Sequence, residues 1–307
     1  MKKDFKVTFW GVRGSHPVPG KNTLKFGGNT TCLEVSIDSV TIIIDAGTGI
    51  INLGNRIVAD FFSKGGKPPL ELTLLFTHLH QDHTQGLPFF VPYYLGQSIL
   101  NFFGPLNFNE ELHKVLEKSM APPNFPIDFD SSSSVKNINT VKENSVILLD
   151  TDDKKPQNIN IFHNKPEIKN TSILIRIMNG FSHPSNGIYI YRIEYGGKSV
   201  VFCTDVEGYL YGDSKLINFA KGADLLIHDA QYSKEQYTSL PVPRQGFGHS
   251  TPEMAIEVAK AAEVKNLAIT HHDPASLDKQ LDEYNSKYKK QFDKLFYTRE
   301  GETFQII

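Results

Sequence analysis

The chain is predicted to be α/β, a sandwich of sheets and helices interrupted by an insertion, and three observations lead there. Short apolar runs with strand periodicity, bounded by glycine and proline, dominate the first part. Strands return after residue 171, with helical patterns between them. The stretch from about 120 to 168 departs from both in composition. No fixed-period repeat is present. A length of 307 residues allows one large domain or two modest ones, and a single domain over 1–307 is the expectation.

Taken in order, residues 5–9 (FKVTF) alternate as a strand, and 31–37 (TCLEVSI) with 40–44 (VTIII) read as a hairpin. The run stops at Asp45-Ala46-Gly47-Thr48-Gly49, and 50–63 is predicted helical. An apolar strand at 70–76 leads into Thr77-His78. Pro88 and Pro92 disfavour a long helix in the aromatic segment 87–95. The 120–168 stretch is rich in Ser, Asn, Asp, Lys and Pro around an apolar island at 146–149, and reads as a lid, a packing arm or a surface loop. Strands are expected again at 171–178, at 187–195 and 198–203 around the turn Gly196-Gly197, and at 223–228 and 266–270. Thr251-Pro252-Glu253 opens a helix, with threonine as its cap and proline in its first turn.

Composition narrows the function classes. With 39% hydrophobic and 21% charged residues the chain is neither disordered, fibrous nor membrane-embedded. A net charge of −2, from 32 basic and 34 acidic side chains, disfavours a protein built to grip long nucleic acid. Two cysteines, Cys32 and Cys203, make no disulfide framework. The first residues lack a signal peptide's apolar stretch, and no window has the roughly 18 apolar residues of a membrane span. A cytoplasmic location, away from membranes, is expected.

The most informative residues are Thr77-His78-Leu79-His80-Gln81-Asp82-His83. Three histidines and an aspartate within six positions, just past an apolar strand, are hard to explain by packing. In extended chain His78 and His80 point to the same side, and imidazole with carboxylate suits Zn, Mn or Fe. His183, Asp205 and His271 each stand where an α/β sheet gathers a site: before a predicted hairpin or after a buried strand. Together they make seven ligands, the count for two divalent ions sharing one carboxylate.

These residues, with Asp45 in IIIDAGTG, resemble the metallo-β-lactamase superfamily in its phosphodiesterase and ribonuclease Z-like branch. The resemblance implies a four-layer αββα sandwich. It implies one ion held by His78, His80 and His183, and another by Asp82, His83 and His271. Asp205 bridges them together with a water or hydroxide, and Asp45 orients the ligands from behind. Of the adjacent pair His271-His272, the family pattern selects His271, leaving His272 to face away or to line the pocket.

Two further segments resemble that branch. Leu226-Ile227-His228-Asp229-Ala230 is similar to its His-Glu-Ala-Thr segment, and Gly248-His249-Ser250-Thr251 to its Gly-His-Ser-Thr segment. The resemblance implies that His249 donates a proton to the phosphate or stabilises it, with Asp229 and His228 behind it. The aspartate is one methylene shorter than the family's glutamate. The activity implied is phosphodiester hydrolysis by attack of the bridging hydroxide. Ribonuclease Z carries a long RNA-gripping arm between its third histidine and bridging aspartate, whereas Asp205 follows His183 by 22 positions. The expected substrate is therefore a small phosphodiester, a cyclic nucleotide in the first place. A nuclease of the same branch acting on RNA or DNA is the alternative, and a non-catalytic nucleotide-binding protein the second. Arg13 contacts phosphate or braces its own loop. The aromatic segment at 89–94 is a base-stacking face, core or a homodimer contact. His16 is not expected to be a ligand; His113 and His163 read as surface residues, and Cys203 as a small buried hydrophobe.

Overall fold

Every apolar run singled out above is a strand in the computed structural model, which describes residues 3–106, 110–160, 162–163, 167–184, 187–209 and 211–307. In chain order they are β1 (Phe5–Gly11), β2 (Cys32–Ile37), β3 (Val40–Ile44), β4 (Leu70–Leu75), β5 (Ser98–Gly104), β6 (Val135–Thr140), β7 (Ser145–Asp150) and β8 (Gln157–Asn160). They continue as β9 (Ser172–Gly180), β10 (Ile188–Tyr195), β11 (Lys198–Cys203), β12 (Leu225–Asp229), β13 (Leu267–Thr270), β14 (Leu295–Tyr297) and β15 (Thr303–Gln305). Among the described residues the helices are α1 (Gly49–Ser63), α2 (Val91–Tyr94), α3 (Leu112–Met120), α4 (Ser214–Ala220), α5 (Lys234–Thr238), α6 (Pro252–Ala261) and α7 (Asp278–Lys289).

One sheet has the order β15-β1-β2-β3-β4-β5-β6 and the other β14-β13-β12-β11-β10-β9-β7-β8. Their inner faces share an apolar core. Phe5, Val7, Phe9, Val35, Ile42 and Ile44 come from the first sheet; Ile147, Ile173, Ile175, Tyr191 and Phe202 come from the second. The outer face of the first sheet packs Ile43, Leu72, Leu74 and Phe102 against Ile50, Leu53 and Ile57 of α1 and Leu112, Leu116 and Met120 of α3. The helical spacing of those α1 residues made the helix legible, and each such side chain contributes about 1.5–3 kcal/mol on burial. Val201, Leu226, Leu267 and Ile269 pack outward against Leu216 of α4, Ala255, Ile256 and Ala259 of α6, and Leu281 and Tyr288 of α7. The result is the four-layer α/β sandwich with the sheets inside.

Hairpin β10–β11 turns at Gly196 and Gly197, both with positive φ (59° and 77°), the geometry a two-residue hairpin needs. Thr251 caps α6, its side chain accepting from the Met254 amide. The 120–168 stretch bears strands that widen both sheets: β6 pairs parallel to β5, and β7 pairs antiparallel to β9. Ile147 and Leu149 enter the inter-sheet core, and Phe129 enters the outer one.

Parallel pairing places the site. β3 and β4 run side by side, as do β11, β12 and β13, so the residues following all five strands meet at one edge of the sandwich. No helix among the described residues is long and apolar enough to cross a membrane.

Candidate metal centre

After β4 the chain stays extended through His80 and then tightens into a 3-10 turn over Gln81–His83. Extension puts His78 and His80 side by side, with ring centroids 4.4 Å apart. The turn swings Asp82 and His83 inward, both buried. His183, from the β9–β10 connection, joins the first pair, its Nε2 lying 3.2 Å from His80 Nδ1. His271 follows β13 directly, with its Nε2 3.3 Å from His83 Nε2 and 3.3 Å from Asp82 Oδ2. Asp205 stands between the groups. Its Oδ1 lies 3.9 Å from His78 Nε2 and 3.8 Å from His183 Nε2, and its Oδ2 lies 3.2 Å from His83 Nε2 and 3.3 Å from His271 Nε2. All seven residues picked out in the sequence converge. The ligand-capable atoms of His78, His80 and His183 cluster, as do those of Asp82, His83, Asp205 and His271.

The backbone is bent to achieve this. Asp45, Asp205 and His271 stand just past strand ends with φ of 62°, 56° and 58°, and Ser15 has 62°. Such left-handed residues cost of order 1 kcal/mol or more each and persist where surrounding structure enforces them.

Hydrogen bonding from outside sets which nitrogen His78, His83, His183 and His271 turn inward. His83 Nδ1 donates to Asp45 Oδ2 at 2.7 Å, His271 Nδ1 to Gln231 Oε1 at 2.8 Å, and His183 Nδ1 to the Gly248 carbonyl at 3.1 Å. Thr77 Oγ1 donates to Asp45 Oδ2, leaving that hydroxyl to accept from His78 Nδ1 at 3.1 Å. With each Nδ1 proton committed, four Nε2 lone pairs point at one another and at two carboxylates. His78 Nε2 and Asp205 Oδ2 are buried without a hydrogen-bond partner. Lone pairs facing lone pairs, with orphaned acceptors between them, fit bound cations.

The electrostatics agree. Burial opposes charge on Asp205, yet the facing His271, His83 and His78 hold its carboxyl well below the ordinary range, and His83 with His271 do the same for Asp82. Burial also disfavours charge on His83, but Asp82, Asp205 and Asp45 push it well upward: the carboxylates favour positive charge at that point, supplied by a proton on Nε2 when no cation is bound. Burial raises the carboxyl of Asp45 against its bonds from His83 and Thr77.

Beside the cluster, His249 Nδ1 lies 2.7 Å from Asp229 Oδ2, and its ring stacks at 5.1 Å on that of His271. Burial alone depresses its pKa, but Asp229 and the more distant Asp205 and Asp82 push it up to about 9. His228 departs from the expected relay. On strand β12 its side chain takes the face opposite Asp229 and lines a small cavity with Val206, Leu216, Met254 and Val258. Among the described residues its Nδ1 meets the Asp229 backbone carbonyl, at 2.6 Å. His272 also faces away, stacking on Tyr297 with Nε2 on the Thr298 carbonyl, and burial pushes its pKa down to about 3.

Arg13 is wholly buried and braces its loop through the carbonyls of Gly27, Asp273 and Ser276. His16 is exposed, and His113 pairs at the surface with Asp130. Cys203 is buried at the end of β11. In the aromatic segment Phe90 and Tyr93 are core, whereas Phe89 is exposed.

Three contributors escaped the sequence reading. Gln231 grips His271 and also bonds Ser15 Oγ. The Ser15 amide donates to Asp82 Oδ2 at 2.7 Å. A Cβ on Gly47 would sit 2.4 Å from the Asp82 carbonyl oxygen, so glycine lets that turn approach. The one available signal was that Gln231 stands two residues past Asp229, on the same side if the chain stays extended.

Comparison with known proteins agrees with this geometry. The beta-lactamase superfamily domain matches residues 41–272. Ribonuclease Z of Picrophilus torridus is 26% identical, with 100% of this chain and 97% of that protein covered. Human tRNase Z, short form, superposes with a TM-score of 0.62 at 19% identity over 98% of this chain and 99% of its own. A diphosphatase of the PhnP family gives a TM-score of 0.61 at 16% identity, covering 99% of this chain and 98% of its own. Matched by the family model over most of its length and folded accordingly, the chain belongs to the metallo-β-lactamase superfamily.

Proposed function

We propose that this protein, a metal-dependent hydrolase, cleaves phosphodiester bonds and that its substrate is RNA. The observation that carries the reading is Asp205 facing two ligand groups at once, with the His249–Asp229 pair alongside. The relative from Picrophilus torridus named ribonuclease Z, aligned over the whole chain, supports RNA over a cyclic nucleotide.

His78, His80 and His183 would hold one divalent cation and Asp82, His83 and His271 a second, with Asp205 between them. Zinc suits the set best, and manganese or iron also suit it. Such a pair supplies charge neutralisation on phosphate and a water of lowered pKa. The protein's own part is positioning. Asp45 fixes the His83 tautomer, Gln231 that of His271, and Thr77 that of His78. His249, tied through Nδ1 to Asp229, keeps Nε2 for a phosphate oxygen, so its proton reaches the leaving group. The whole chain would act as one domain, with 120–168 as a packing arm that completes both sheets.

A second reading keeps a small diester, a cyclic nucleotide, as substrate. It rests on the His183–Asp205 connection, which strands β10 and β11 fill without room for an arm.

Purified, metal-loaded protein offered a 3′-extended hairpin RNA, cyclic mononucleotides and bis(p-nitrophenyl) phosphate separates the two. RNA cleavage is expected. Turnover of cyclic nucleotides with intact RNA selects the second reading, and no turnover of any diester refutes both.

A further inference from the structure

Three loops that carry site residues are bonded edge to edge. The first ends β9 and holds Phe181, Ser182 and His183. The second follows Asp205 and holds Glu207 and Tyr209. The third, before His249, runs from Leu240 to Gly248. Glu207 joins them: its amide donates to Ser182 Oγ at 3.1 Å, and its carboxylate accepts from the amides of Gly246 at 2.7 Å and Gly248 at 3.0 Å. His183 closes the ring by donating to the Gly248 carbonyl.

The residues flanking this clamp are aromatic and uncovered. Phe181 is 70% exposed, Tyr209 49% and Phe247 42%. Rings of this size left in water beside a candidate active site mark a surface that meets something flat. Arg244 stands among them, its guanidinium 5.4 Å from the Phe247 ring centre and 5.8 Å from that of Tyr232. Tyr232 in turn packs edge-on against His249 at 5.6 Å. No carboxylate among the described residues pairs with Arg244, and its guanidinium lies over two rings, so its planar donors are oriented and unspent. Lys215 lies over the Phe181 ring at 5.6 Å, but its charge is already paired with Glu143 at 2.5 Å, so of the two Arg244 is the cation left for a ligand.

We propose that Phe181, Tyr209 and Phe247 form a stacking platform for unpaired nucleotides next to the scissile bond, with Arg244 binding a flanking phosphate. The proposal rests on the phosphodiesterase reading and names what that site selects. Bases stack on rings irrespective of sequence, and a ring-held guanidinium grips the phosphate between them. A protein ligand would leave the unpaired guanidinium beside a phosphate-cleaving centre unexplained. Recognition through bases splayed on rings also needs no long basic arm, in keeping with the short 183–205 connection and a net charge of −2.

The test uses metal-loaded, full-length protein and a 5′-labelled single-stranded RNA oligonucleotide. Binding is read by fluorescence anisotropy, and cleavage is compared with that of bis(p-nitrophenyl) phosphate, which has no neighbouring base or phosphate. Phe247→Ala and Arg244→Gln are each expected to weaken oligonucleotide binding roughly ten-fold. Each should lower kcat/KM on the oligonucleotide at least ten-fold more than on the small diester, mainly through KM. Arg244→Lys, which keeps the charge but not the planar fork, should recover part of the loss. Equal losses on both substrates, or wild-type binding in both variants, overturn the platform. Tight binding that needs Phe247 and Arg244 but leads to no RNA cleavage upholds the platform and sinks the RNA-cleavage reading instead.

Discussion

His249 and Asp229 are joined by a 2.7 Å contact between Nδ1 and Oδ2, and the other oxygen of the same carboxylate accepts from the Ser250 amide at 2.9 Å. Asp229 therefore fixes both the imidazole and the loop that presents it. Its side chain, one methylene shorter than glutamate, makes both contacts from the last residue of β12. His249→Ala is expected to lower phosphodiester turnover by roughly 10²–10⁴ while bound metal, measured by elemental analysis, stays at the wild-type level. Loss of metal together with activity would assign His249 a structural part instead.

Asp205→Ala removes the carboxylate that faces both candidate ligand groups. It should cut bound metal from about two ions per chain to below one, abolishing turnover. Two ions retained per chain would contradict the shared position.

Gln231→Leu preserves bulk but deletes the acceptor for His271 Nδ1. Freed of that bond, the imidazole loses its preferred tautomer, and metal affinity, followed by competition with a chelator, should weaken roughly 10–100-fold. Gln231→Glu, which still accepts, should keep most of the affinity. Equal behaviour of the two variants argues against an orienting role.

Asp224 ties strand β11 to β12, accepting from the Ser199 amide at 2.9 Å, Lys265 at 2.8 Å and Lys198 at 3.1 Å. Burial opposes its ionisation, but these donors hold its carboxyl below the ordinary range. A depressed carboxylate stabilises the fold above its unfolded pKa, near 3.9, and that stability is lost as pH falls through the lower folded value. With both lysines well exposed, Asp224→Asn should cost only about 1 kcal/mol at neutral pH. The difference in denaturant midpoint between variant and wild type should shrink below about pH 4. A gap that persists into acid would mean that geometry, not charge, is what matters.

The candidate cluster of ligand-capable residues and the strand skeleton were legible because each signal is local. A residue that follows a buried strand is visible in order along the chain, as with Asp45, Asp205 and His271, and the cluster at 78–83 is nearly complete by itself. Helix α7 was hidden because its sequence is polar on most faces, burying only Leu281 and Tyr288, and β14 and β15 are three residues each. The sequence alone thus determined which side chains are chemically able to hold metal, and at which strand ends they stand. Tertiary packing decided the rest: that His228 turns away while Asp229 turns in, that Gln231 holds His271, and that Glu207 clamps three loops together. Those contacts join segments tens of residues apart, and only the pairing of parallel strands and the left-handed turns at their ends bring such segments within hydrogen-bond reach.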